Sequence, residues 1–386
     1  MAATYIRRSL KSHPSLPMAM YKNAWDVMRV SSYPATDVAE LLSVYSSALT
    51  LSGTTPGPQS IHVAHRKAQA AVFRDPTSLN AWAALAGGLL HTALSSACVD
   101  TLREDSSVRH GYTVKLNLAL HLCDYVRVRS KDMEADLIAR SANAPAVQIR
   151  TQAAQLIATT RWASLAMCEC LLLLGEAETS PTSHTEDKDT PTDAKEPNAY
   201  LDMAMGLAVE SLNGYQADDT GRVVWLHLLA RLHAIRCKTG DVELAIRHLR
   251  TAISASVEPS ALWLSLGDLL SSVGKTQGSR LCMQQAAAAA ESVGLGSTMQ
   301  LVSLIRLTWL NLLTGHTTEA EESLRQASDL DAHAVPLTFF KGVLSVMKKD
   351  NRQARRAFTK LLSTSETQSD WHGLAISLND MYGKQA

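Results

Sequence analysis

GDVELAIRHLRTA, residues 240–252, carries the strongest structural signal in the chain. A turn-forming Gly240-Asp241 leads into Ala245, Leu249 and Ala252, the spacing of one helix face. Further on, GKTQGSRLCMQQA (274–286) sets Ser279, Met283 and Ala286 at the matching places. GHTTEAEESLRQA (315–327) does so with Ala320, Leu324 and Ala327, and KDNRQARRAFTKL (349–361) with Ala354, Phe358 and Leu361. The turns are 34, 41 and 34 residues apart. A recurring period of this size means helix pairs stacked side by side.

The segment Ile61 to Leu90 shows the same logic in its fullest form. Ala64, Ala68 and Ala71 lie where two helices cross closely, and Pro76 stops the helix. Trp82, Leu85, Ala86 and Leu89 then follow as large, large, small, large. Trp263, Leu266, Gly267 and Leu270 repeat that order, as do Trp371, Leu374, Ala375 and Leu378 in an expected C-terminal end helix. Period and residue order together resemble the tetratricopeptide repeat (TPR). The expected fold class is all-α: a TPR-like α-solenoid of stacked antiparallel helix pairs with a disordered acidic insertion.

Four regions are expected. Residues 1–60 hold an irregular N-terminal helix pair or pairs, ending in the loop LSGTTPGPQ (51–59). Residues 61–174 hold TPR-like and degenerate or lengthened helix pairs; 92–174 look helical throughout but lack the Gly turns. Residues 175–199 form an acidic linker, since Gly175 to Asn198 has seven carboxylates, three prolines and no apolar residue larger than Ala. Such a segment buries too little surface to offset its ordering entropy. Residues 200–386 form the regular solenoid.

Composition agrees. The chain is 46% apolar but only 5% aromatic, with Ala and Leu favouring helix over strand. Thirty-seven acids balance 37 bases, so no overall basic signature of nucleic-acid binding exists. Six scattered cysteines read as reduced, buried thiols. No apolar run approaches the roughly 20 residues of a membrane span; the strongest, Ala163 to Leu174, contains Glu169. Residues 1–22 are basic and acid-free, but Pro14 and Pro17 break the helix that a transit peptide would need. The expected location is the cytoplasm, with the nucleus a second compartment.

No catalytic constellation emerges, and no cofactor or metal is expected. Gly274-Lys275-Thr276 is not a phosphate loop, because the position that needs the first glycine is Leu269 and the tripeptide follows a helix. His62 and His65 lie three apart without an acid or cysteine to complete a metal shell. TPR proteins that clamp a peptide's terminal carboxylate use cationic and amide side chains at leading first-helix positions. Here those positions hold Ala83, Gly87, Leu264 and Asp268.

The first helices offer apolar surface instead. LVSLIRLTWLNLL (301–313) and VPLTFFKGVLSVM (335–347) are hydrophobic nearly all round. In the register set by Gly315 and Asp350, Val302, Ile305, Trp309, Leu312, Phe339, Val343 and Val346 are expected on the concave side as a partner-binding patch. The alternative is that the N-terminal helices or residues 292–299 cover it within the chain.

HRKAQAAVFRDPTSLNAWAALAGGLL (65–90), then irregular helices, then regular repeats resembles the C-terminal arm of the TPR scaffold subunit of the superkiller (Ski) complex. The resemblance implies a non-enzymatic scaffold holding helicase and WD-repeat subunits, which feed messenger RNA to the exosome for 3′-to-5′ decay. It also implies the tail of a longer subunit with more repeats upstream. A general TPR adaptor in another assembly without an RNA role is the second reading, and a regulatory domain attached to an enzyme elsewhere in a longer polypeptide is the third.

Overall fold

The computed structural model describes residues 35–36, 38–39, 42–43, 45–46, 58–100, 106–139, 146–179, 199–215, 221–238, 240–292 and 297–363. Among them are thirteen helices of thirteen residues or more and no strand. The chain divides into two compact units, Met1–Gly214 and Tyr215–Ala386. Most of the expected N-terminal pair and the expected end helix around Trp371 lie outside the described residues.

The first unit holds α1 (Pro58–Arg74), α2 (Leu79–Asp100), α3 (Ser106–Ala139), α4 (Ala146–Thr179) and α5 (Ala199–Asn213). Ala64, Ala68 and Ala71 are fully buried, so small residues do mark the close crossing. The α1–α2 turn is tied locally. The Asp75 Oδ1 carboxylate accepts the Thr77 amide and hydroxyl, and the Trp82 indole N–H donates to the Pro76 carbonyl at 2.8 Å. Trp82 then meets Tyr125 of α3 edge-on at 5.5 Å.

The region without Gly turns is a hairpin of two 34-residue helices, α3 and α4, each about 51 Å long. With no breaker at repeat spacing, nothing ends the helices after three or four turns. Leu116, Ala119, Cys123 and Val126 form the buried stripe of α3. Contrary to expectation, Ile149–Ala177 contains an 18-residue window apolar enough by composition to cross a membrane, with mean hydropathy 1.4. Its C-terminal half, from Ala163 on, contributes core residues that pack against α3 and α5.

Residues 175–179, expected in the acidic linker, are helical. Helix α4 runs on to Thr179, and Gly175 is a buried contact, not a loop residue. A Cβ there would lie 2.5 Å from Leu201 Cδ2 of α5, so glycine permits this close approach. Residues 180–198 lie outside the described residues. Helix α5 belongs to the first unit, whose boundary is Gly214, not 175–199.

The second unit is four antiparallel pairs: α6 (Gly221–Arg236) with α7 (Asp241–Ala255), α8 (Ser260–Ser272) with α9 (Thr276–Ser292), α10 (Ser297–Leu313) with α11 (Thr317–Leu330), and α12 (Val335–Met347) with α13 (Asn351–Ser363). The twelve periodic positions are all buried, from Ala245, Leu249 and Ala252 to Ala354, Phe358 and Leu361.

Three of the four turns close identically. Gly274, Gly315 and Lys349 adopt left-handed φ of 76°, 77° and 62°. Their amides donate to Ser271, Leu312 and Val346, while the next amides, Lys275, His316 and Asp350, reach back to Leu270, Asn311 and Ser345. This Schellman pair satisfies carbonyls that a helix end leaves open.

Across each pair the first-helix position seven residues before the turn sits against the second helix. It holds Gly267, Thr308 and Gly342. Ser279 Oγ donates to the Gly267 carbonyl at 2.7 Å, and Thr308 Oγ1 donates to Ser323 Oγ at 2.9 Å. In the first pair His233 takes this place and the turn is held by a charge instead. Asp241, 2% exposed, accepts Arg236 Nε (2.9 Å), Arg236 Nη2 (2.7 Å), His233 Nδ1 (2.7 Å) and the Lys238 amide (2.9 Å). Hydrogen bonding to Arg236 foremost, with His233 and the Lys238 amide, holds its carboxyl well below the usual carboxylate range despite burial.

Candidate functional site

Successive first helices of the second unit share a face, because side chains bridge from each to the next. His227 of α6 and Ser265 of α8 are hydrogen-bonded at 2.9 Å. Ser265 Oγ also donates to the Ala261 carbonyl, so its lone pairs receive the His227 Nε2–H. Burial lowers the His227 pKa, which suits the neutral ring. Asp268 of α8 and Arg306 of α10 pair at 3.0 Å. Burial raises the Asp268 pKa, and Arg306 opposes that rise. Trp309 of α10 lies over Phe340 of α12 at 5.9 Å and tilts against Phe339 at 6.5 Å.

The face therefore changes character along the stack, polar from α6 to α10 and apolar from α10 to α12. Sequence reading found the apolar half and missed the polar half, although Asp268 was visible as a departure from carboxylate-clamp chemistry. The signal that could have found it is spacing: His227 to Ser265 and Asp268 to Arg306 are both 38 residues apart.

The seven expected patch residues do not all reach the surface. Val302, Ile305, Trp309, Val343 and Val346 are half-buried. Leu312 and Phe339, at 5% and 2% exposed, are core residues and are removed from the patch. Phe339 is enclosed by Trp309, Phe340 and, at 6.1 Å, Phe358 of α13. A residue aimed towards the shared face is buried when aromatic neighbours of this size close around it.

Titratable groups elsewhere are structural in placement. Burial lowers the His65 pKa, and its Nδ1 is buried without a hydrogen-bond partner. Burial pushes the Cys168 thiol up to about 12. The Cys123 thiol is raised by its hydrogen bond with Cys170 and by burial. Thiols so shifted are poor nucleophiles at neutral pH. Among the described residues no group of three or more His, Cys, Asp or Glu side chains is placed to hold a metal.

No protein-family model matches the chain, and no curated protein is similar to it in sequence. Solved structures with similar helix-pair arrangements include yeast Tom70, at 11% identity and TM-score 0.37 over 99% of this chain and 94% of that one. A signal-transduction ATPase with a tetratricopeptide repeat sensor from Pyrococcus horikoshii aligns at 11% identity and TM-score 0.41, over 95% of this chain and 62% of that one. MamA aligns at 17% identity and TM-score 0.35, over 44% of this chain and 90% of that one. At such distances function has to be argued from this chain's own residues.

Proposed function

We propose that this chain is a non-catalytic scaffold that holds other proteins on the shared first-helix face of its second unit. The observation that carries this reading is the apolar half of that face. Val302, Ile305, Trp309, Val343 and Val346 keep part of their surface open next to the Asp268–Arg306 pair. Apolar area bordered by a few fixed charges is the usual make-up of a protein interface. Covering it is favourable by about 25 cal/mol per Å² of apolar area removed from water.

Its assembly, on this proposal, is the superkiller complex, with helicase and WD-repeat subunits as partners, exosome-mediated messenger-RNA decay as the process and the cytoplasm as the location. Support for that finer reading comes from the order of parts: the His65–Leu90 match, the long irregular hairpin, then regular pairs. Affinity purification of the tagged full chain tests it. Helicase and WD-repeat proteins should co-purify with the wild type and be lost with Val302→Asp combined with Val346→Asp, while the helical circular-dichroism signal is kept. Capture of other proteins in their place would support the general-adaptor reading instead.

A further inference from the structure

Neutrality of the whole chain conceals a strong local segregation of charge. Helix α11 carries Glu319, Glu321, Glu322 and Asp329 against the single Arg325. From Lys341 to Ser363, by contrast, there are seven Lys and Arg and one carboxylate, Asp350. One of these cations is already engaged: Lys348 pairs with Glu321. Four are not. Arg352, Arg355, Arg356 and Lys360 are exposed on α13, and no hydrogen bond or ion pair joins their side chains to another described residue.

Their placement follows from the helix. Ala354, Phe358 and Leu361 turn inward and are buried. Arg352, Arg356 and Lys360 therefore form an outward row with steps of about 6 Å along the axis, and Arg355 lies beside it. Like charges four residues apart destabilise a helix, so such a row is unfavourable unless an anion covers it. A single row at this interval suits the successive phosphates of one nucleic-acid strand.

We infer that the outer face of α13 holds the phosphate backbone of a single-stranded nucleic acid. An acidic peptide is the competing occupant, but exposed ion pairs strengthen a complex by only about twofold each. Four such pairs give no lasting hold on a flexible peptide. A phosphate strand gains additionally from release of its condensed counterions. Phe358, the one aromatic residue of α13, is buried, so this helix offers no ring for base stacking and the contact is indifferent to sequence. Repulsion by the acidic surface of α11 would keep the strand on the α12–α13 pair.

The test uses the full chain and a fluorescent oligouridylate RNA of about 20 nucleotides, read by anisotropy from about 50 mM salt upward. Wild type should bind, with log K falling against log salt at a slope of about −3, as expected for four neutralised phosphates. Arg352→Glu, Arg356→Glu and Lys360→Glu together should weaken binding at least about tenfold and flatten the slope by about 2. Arg247→Glu, Arg250→Glu and Lys275→Glu, the same charge change on exposed residues elsewhere, should leave affinity within about twofold. Should the α13 triple variant lose its helical signal, Arg356→Gln with Lys360→Gln replaces it, with a loss of at least about threefold expected. No binding at low salt, equal loss in both triple variants, or competition by polyglutamate as effective as by unlabelled RNA would each overturn the inference.

Discussion

Gly342 of α12 faces the ring of Phe358 of α13 so closely that a Cβ at this position would overlap the ring edge. Gly267 holds the same place in the α8–α9 pair, but there the nearest atom to an added Cβ is Met283 Cγ at 3.2 Å. A phenyl ring enclosed by Phe339 cannot yield, whereas a methionine can rotate. Gly342→Ala should therefore cost about 2 kcal/mol, and Gly267→Ala less than about 1 kcal/mol once the better helix propensity of alanine is included. Urea unfolding midpoints of the two variants should separate in that order.

Gly175 makes the equivalent argument in the first unit, with a removable partner. Gly175→Ala should destabilise by about 1–2 kcal/mol because Leu201 must move. Combining it with Leu201→Ala should cost less than the sum of the two single changes, since the truncated side chain leaves room for the new methyl. A double-mutant cycle on thermal unfolding measures the coupling.

Lys349 occupies a left-handed turn position that Gly274 and Gly315 fill elsewhere. Lys349→Gly should raise stability by about 1 kcal/mol, and Gly315→Ala should lower it by a similar amount. Chemical denaturation of both variants provides the check.

Asp241 sets an acid limit on the α6–α7 pair. Its native carboxyl titrates below the unfolded value of 3.8, so the unfolded chain binds its proton first. The stabilisation is complete above the unfolded pKa and is lost as pH falls below it towards the native value. Asp241→Asn should cost about 3 kcal/mol at pH 7 by leaving Arg236 and His233 without their anion. The difference between wild type and variant should shrink as pH is lowered from about 5 to 3, as followed by circular dichroism.

Periodic features were legible because stacking imposes them. A pair that must cross closely, turn within a few residues and meet its neighbour needs small, large and left-handed positions at constant intervals. Ala245, Ser279, Ala320 and Ala354 all fell where spacing placed them. Features set by one particular contact were not legible. GEAET (175–179) was assigned to the linker for its charge, although Glu and Ala are good helix formers, and its close approach to α5 depends on Leu201, 26 residues away in sequence. Phe339 was assigned to an open face because spacing gives the direction of a side chain but not the size of the neighbours around it. The shared-face bridges escaped as well, since each joins two pairs, and a pattern read within one pair does not contain them.

Because the turns at Gly274, Gly315 and Lys349 each satisfy their own helix ends, the larger step of 41 residues is taken up in the arms: α9 and α10 have 17 residues each, against 13 to 15 in α7, α8, α11 and α12. Arm length can thus vary by a helical turn while the closing turns keep one design.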